Sequence, residues 1–357
     1  MSLLSLFIRY SGLLGLGLLT LSIVACGPDE REDGQPDDSA QTLRWGTSAV
    51  GSSGHRAMVN LAAVLNREME DWDITVLPLP GAIMGLRSFI QNDLNGYYGS
   101  NMSFYELAND RDRFAGFRDR IQKEPVQTFW AYTMEMGLAI QAQEADRFSS
   151  WSDLNGRGVF TGPRPWDTRA HLERAMRAAG VEHQYVELDL SMTGSQLRTG
   201  SIAAIGVYST AEKDIPPWLA ETERIANLKI LNPSAEEQAA MREAGLEIVS
   251  ISTDAFQTDV GVDEILFTPF FYGFHLGLSI SEDSVYRMLL AIEKNAADLA
   301  RSDAVFSQLA EDMPALQARG IANAIDDARI HPGLARYLRE RNAWNSDWDS
   351  RVAQNED

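Results

Sequence analysis

From Leu43 onward, short apolar runs of strand character alternate with stretches whose apolar residues recur at helical spacing, and this alternation constrains the fold more than any other feature of the chain. Leu43-Arg44-Trp45-Gly46 reads as a strand. Thr47 to Gly54 is a loop rich in Gly and Ser, and Met58, Leu61, Ala62, Leu65 and Met69 then fall on one helical face. Asp73 to Leu77 is a second strand, Met84 to Leu94 a second helix, and Asn95 to Ser100 a third strand. Repetition of this kind builds a mainly parallel sheet with helices on both faces, so the fold class expected is α/β.

The pattern then breaks and resumes. Thr128 to Gln143 is apolar without helix signals and is expected to run extended out of a first lobe. Asn155-Gly156 turns into the strand Val159-Phe160-Thr161, and the loop Gly162 to Thr168 leads to a helix with Leu172, Ala175, Met176 and Ala179 on one face, stopped by Gly180. Tyr185 to Leu190, Ile202 to Tyr208 and Leu228 to Leu231 supply further strands. Ile265 to Leu278 is apolar again and is expected to return to the first lobe, before helices at Ser284 to Arg301 and Ala304 to Leu309. The division expected is lobe I at 43–133 and 251–357 and lobe II at 134–250, with a ligand cleft between them.

The beginning of the chain reads as an address. Arg9 is the only charge before the 16 residues Tyr10 to Ala25, which are somewhat short of the ~20 that span a bilayer as a helix. A charged start, an apolar middle and small residues before a cut describe a signal peptide over 1–25. Leu21-Ser22-Ile23-Val24-Ala25-Cys26 resembles the bacterial lipobox, in which cleavage precedes a cysteine that becomes acylated. Cys26 is the sole cysteine, which excludes a disulfide framework and a cysteine-cluster zinc site. Residues 26–42 hold six acids, one Arg, two Pro and almost nothing apolar, so they are expected to form a flexible tether.

Charge narrows the partners. The formal net charge is −20; the tether's six acids against Arg31, and Arg9 before it, leave −16 on 43–357. An acidic folded part offers no basic face for phosphates, so nucleic acid is not an expected partner.

Several motifs, taken in order, resemble the TAXI branch of TRAP transporter solute-binding proteins. Gly46-Thr47-Ser48-Ala49-Val50-Gly51 is similar to that family's first glycine loop. Trp151-Ser152-Asp153-Leu154-Asn155-Gly156-Arg157-Gly158-Val159 is similar to its Asp-Leu-x-Gly segment, with Gly162-Pro163 opening the loop after it. Leu197 to Ala204 and the closing stretch Ile330-His331-Pro332-Gly333-Leu334-Ala335-Arg336-Tyr337-Leu338-Arg339-Glu340 resemble two further family motifs. The sequence departs from the pattern at His55-Arg56, where a Tyr is usual, at Ala203, where an Asp is usual, and at Arg164-Pro165-Trp166-Asp167-Thr168. The resemblance implies a two-lobed fold like the type II periplasmic binding proteins. It also implies an extracytoplasmic receptor, lipid-anchored through Cys26, that closes by a hinge on a small organic anion such as a carboxylate and delivers it to TRAP membrane subunits. A receptor of an ABC or tricarboxylate transporter, a secreted enzyme and a ligand-sensing lipoprotein stay open beside it.

Candidate ligand-binding residues come from both lobes. Ser48, Ser52 and Ser53 precede the first helix, whose N-terminus attracts an anion, although capping alone also accounts for a serine there. His55 follows in the same loop, and Asn101 ends the third strand, where it also suits a helix cap. In lobe II, Arg164 and Arg169 offer guanidinium groups suited to a carboxylate, Trp166 a flat wall, and Thr168 and Tyr208 hydroxyls. A surface loop whose Trp166 packs on a neighbouring helix and whose Arg pairs with the acidic surface also accounts for the 164–169 stretch, and a turn ending a strand for Tyr208. Phe270, Phe271, Tyr272 and Phe274 read as core or hinge, and His331 as structural. No nucleophile elbow, HExxH, phosphate loop or dinucleotide fingerprint is present, and the five histidines show no metal-ligand spacing, so neither catalysis nor a cofactor or metal is expected.

Overall fold

The computed structural model describes residues 40–50 and 52–354. The expected signal peptide, Cys26 and most of the expected tether lie outside the described residues. β1 (Gln41–Thr47) opens the fold, pairing in parallel with β2 (Trp72–Pro78) from Gln41 opposite Trp72 onward, and with β3 (Gly96–Ser100). Gln41 and Thr42, assigned above to the tether, therefore already belong to the ladder. Between these strands run α1 (Ser53–Glu68) and α2 (Ala82–Ile90), each burying one apolar face. A third helix, α3 (Asn101–Ala108), starts directly at the end of β3, where Ser100 caps it by accepting from the Ser103 amide at 3.3 Å.

After the two-residue β4 (Val126–Gln127), β5 (Trp130–Gln141) carries the chain into a second set of strands and helices. These are β6 (Gly158–Phe160), α4 (Asp167–Ala178), β7 (Gln184–Tyr185), α5 (Thr193–Arg198), β8 (Ala204–Thr210), α6 (Pro217–Ala226), β9 (Leu228–Leu231), α7 (Ala235–Glu243) and β10 (Val249–Ile251). The strand expected over Tyr185 to Leu190 is a correction: only Gln184 and Tyr185 pair, with β6, and Leu190 already enters a helical turn. β11 (Ile265–Leu276) then runs back.

The strand order is β2-β1-β3-β11-β5-β8-β6-β7, with β10 beside β11 and β9 beside β5. β11 is antiparallel to both β3 and β5, so the two long strands pair with each other and each also pairs within one of the β/α units. The apolar stretches read as extended from the sequence are these two strands. Nearly every residue in them is buried, as expected of strands covered on both faces. Gly137 in β5 shows how close that cover is: a Cβ there would lie 2.1 Å from the Phe267 ring of β11.

The C-terminal part differs from the sequence reading in two places. The helix expected over Ser284 to Arg301 is divided at Asn295 into α8 (Glu282–Lys294) and α9 (Ala296–Ser302). The short helix expected at Ala304 to Leu309 is instead a 3₁₀ turn followed by α10 (Ser307–Asn323), which kinks at Asp312 (φ −161°, ψ 87°). Pro314 lacks the amide that would continue the first segment, and the Asp312 carboxylate accepts from the Ala315 amide at 2.9 Å, restarting the helix. β12 (Arg329–Ile330) pairs with β4, and α11 (Pro332–Glu340) closes the motif that begins at His331. The His331 ring, fully buried, accepts from the Gly333 amide at 3.1 Å while its Nε2 lies 3.0 Å from the Ile280 carbonyl, the structural role read from the sequence. Among the described residues no helix is long and apolar enough to cross a membrane.

Candidate functional site

Loops at the ends of strands from both β/α units converge on a cavity of about 310 Å³, floored by β5 and β11. Open α/β sheets place their loops this way, because parallel strands release them on one edge. From the first unit come Ser48, Ala49, Ser52, Ser53 and Gly54 of the β1–α1 loop, Pro80 to Ala82 before α2, and Tyr98 of β3. The long strands contribute Tyr132, Met134 and Tyr272. From the second unit come Pro165 to Thr168 at the start of α4, Tyr208 of β8, and Pro216 to Trp218 at the start of α6.

The β1–α1 side is a hydroxyl-lined helix terminus. Ser52 caps α1, accepting from the His55 amide at 3.3 Å, and its hydroxyl lies 2.6 Å from that of Ser48. Gly54 is required by close approach: a Cβ there would sit 2.5 Å from the Tyr98 ring. That approach packs the helix start against β3.

The remaining surface is aromatic. Tyr98 and Tyr272 stack with centroids 4.6 Å apart and planes 9° from parallel, and the Tyr98 and Tyr132 hydroxyls share a hydrogen bond of 2.6 Å. On the opposite side Trp218 donates its indole N–H to the Tyr208 hydroxyl at 3.4 Å. Burial raises all four phenols, Tyr208 to about 12, so each is an uncharged hydroxyl at neutral pH.

Asp167 binds the two sides together. It opens α4 in the second unit, yet its carboxylate accepts from Ser100 at 2.5 Å and from Ser103 at 3.4 Å in the first, and it is ion-paired with Arg113. Arg113 also donates to Glu106 at 2.7 Å and to the Pro165 carbonyl at 3.3 Å. Burial works against the Arg113 charge, but the two carboxylates outweigh it and hold the guanidinium above its usual range. Burial pushes Glu106 up to about 7 despite Arg113.

Ser48, Ser52, Ser53, Trp166, Thr168 and Tyr208, proposed from sequence, line this cavity together. The others do not. Arg164 is 70% exposed and pairs outward with Glu187 at 2.9 Å. Arg169 pairs with Glu173 at 3.0 Å and lies over the Tyr185 ring, because α4 turns Asp167, Thr168 and His171 inward and leaves Arg169 off that face. Neither arginine is available as the expected carboxylate grip. His55 faces Thr47, its Nδ1 3.0 Å from the hydroxyl. Asn101 is a brace, donating to the Asn323 carbonyl and accepting from the Phe271 amide, both at 3.0 Å, while Ser100 does the capping. Sequence reasoning missed Tyr98, Tyr132, Met134, Tyr272 and Trp218 as lining residues. Pro216-Pro217-Trp218, a proline-started helix, was a legible signal for the last.

No family model matches the chain, and no curated protein matches it. Solved structures that resemble it include extracytoplasmic solute-binding proteins. They include the probable amino-acid ABC transporter extracellular-binding protein ytmK of Bacillus subtilis, at 12% identity, covering 77% of this chain and 98% of that one with a TM-score of 0.44. The periplasmic aliphatic sulphonate-binding protein SsuA of Escherichia coli is 14% identical, covering 88% and 98%, with a TM-score of 0.43.

Proposed function

We propose that this chain is an extracytoplasmic solute receptor of a TRAP-type transporter, in the manner of the TAXI branch, held at the membrane by a lipid on Cys26. The observation that carries the receptor reading is the cavity itself: both β/α units supply its walls, and the two long strands that join them supply its floor. A solute in contact with both walls stabilises the arrangement in which they face each other, which is how a ligand selects a closed state. The lobes of that motion are 43–133 with 251–357, and 134–250. The ordered motifs from Gly46 to Glu340 support the TRAP assignment, and the run ending in Cys26 supports the anchor. The reading involves no chemical step. It also does not keep the carboxylate expected from Arg164 and Arg169, since both are engaged outside the cavity.

A melting-temperature screen of the full-length chain against organic cations, neutral solutes and organic anions tests the reading. A solute bound only by the folded state raises the melting temperature by mass action, and X-ray scattering with that solute should give a smaller radius of gyration. If no solute shifts the melting temperature, the receptor reading fails. If one does and the radius stays unchanged, hinge closure fails. Co-purification with TRAP membrane subunits, absent for a Cys26→Ser control lacking the anchor, checks the partner.

A further inference from the structure

Resting on the receptor reading, we infer that the solute is a small organic cation whose positive centre sits among the rings of Tyr98, Tyr132, Trp166, Tyr208, Trp218 and Tyr272. Three observations converge on this. Six aromatic side chains line one cavity of about 310 Å³, and the face of an aromatic ring is the negative end of its quadrupole, which attracts a desolvated cation. Among the described residues no Lys, Arg or His lines the cavity, and its four phenols stay protonated, so no cationic side chain in the wall repels a positive charge and only the partial charge of helix N-termini such as that of α1 opposes one. The one ionisable carboxyl in the wall, Asp167, is backed by a network in which one guanidinium, Arg113, meets two carboxyl groups, Asp167 and Glu106.

An anionic solute finds the opposite. Arg113, which reaches the wall through Asp167, is already bonded to Asp167, Glu106 and the Pro165 carbonyl, and it does not line the cavity. The serine hydroxyls of the β1–α1 loop remain as donors, but they are uncharged. At longer range the formal charge of −16 on 43–357 attracts a cation and repels an anion.

Isothermal calorimetry on the full-length chain with choline, and with its uncharged isostere in which a tert-butyl group replaces the trimethylammonium, reads the charge directly at constant shape. Choline should bind at least about tenfold more tightly, the scale of cation–π contacts made by several rings. Trp166→Leu and Trp218→Leu should each weaken choline about three- to thirtyfold while affecting the isostere less, and Tyr208→Phe, which keeps the ring face, should retain it. Equal binding of choline and the isostere overturns the inference and leaves the receptor reading standing. Tighter binding of succinate or glutamate than of choline does the same and makes Arg113 the anchor to test. Failure of every cation, neutral solute and anion to bind overturns both.

Discussion

The two sides of the cavity are built by different means. The β1–α1 side is made of small residues at a helix terminus, where Ser48, Ser52 and Gly54 bring backbone close to Tyr98. The opposite side is made of large residues, Trp166, Tyr208 and Trp218, carried at the ends of three separate elements. One side therefore offers hydroxyls and amides, and the other offers ring surface. The lesson is that the second unit supplies both tryptophans with Tyr208, the first unit the hydroxyl-lined edge with Tyr98, and the long strands Tyr132 and Tyr272 between them; Asp167 is where the two units are tied.

Cutting that tie is the largest change available. Asp167→Ala leaves Arg113 buried with Glu106 as its remaining ion-pair partner, and removal of one member of a buried pair costs about 3–5 kcal/mol. Urea unfolding should show that loss, and a change under about 1 kcal/mol would mean that the two sides hold together without the bridge.

Acid comes next, and it strikes both units. Burial lowers His171, on the inward face of the second unit's α4, and His275, on β11 beside the first unit, each to about 3. Both folded values lie below the unfolded value of about 6.5, so the stability they contribute is present above that pH and lost as pH falls toward 3. Each should cost about 2 kcal/mol by pH 5, and His171→Gln should remove roughly half of the combined effect. Glu135 of β5 has the other sign: burial raises it to about 7, and its share is present below about 4.5 and lost as pH rises through 7. Glu135 and Glu106, both raised to about 7, gain stability over the same fall in pH and offset the histidines, so the His171→Gln comparison is the test: a variant that changes stability between about pH 7 and pH 5 by the same amount as the unaltered chain would contradict the burial of His171.

Ser52→Ala sharpens the comparison from the small-residue side. It removes the α1 cap at a cost of about 1 kcal/mol, measurable by thermal unfolding, whereas Ser53→Ala should be smaller because Ser53 makes no cap bond. Arg164→Ala is the smallest: an exposed pair contributes about 0–1 kcal/mol, and solute affinity should not change. A large loss of affinity in that variant would return the carboxylate grip to consideration.

Much of the first unit was legible because period-two and helical patterns follow one another cleanly from Trp45 to Ser100, and the long strands declared themselves as apolar runs without helix signals. The loop Ser48 to Gly54 and Trp166 were legible for the same reason: small or unusual residues stand at a strand-to-helix junction. Tyr132 and Tyr272 were hidden because a fully buried strand gives no alternation to say which face meets a cavity. At Tyr272 the pairing with β5 also shifts register, so strand counting alone does not give that side chain's direction. Arg113 was hidden more deeply, since only the folded chain brings it to Asp167. Arg169 misled because residue chemistry was read without helix phase, and Arg164 because it stands in the loop before α4, exposed and paired with Glu187.

The place of β11 between β3 and β5 has a consequence for the order in which the molecule can assemble. Ser100 finds its strand partner only at Tyr272, after the whole second unit has been made. Until then one edge of β3 presents unpaired amides and carbonyls, the kind of template that recruits wrong partners. Pairings so distant along the chain make folding slow, because a long loop must close before any contact rewards it. The first unit therefore cannot complete its sheet early, because the strand that completes it arrives with the last third of the sequence.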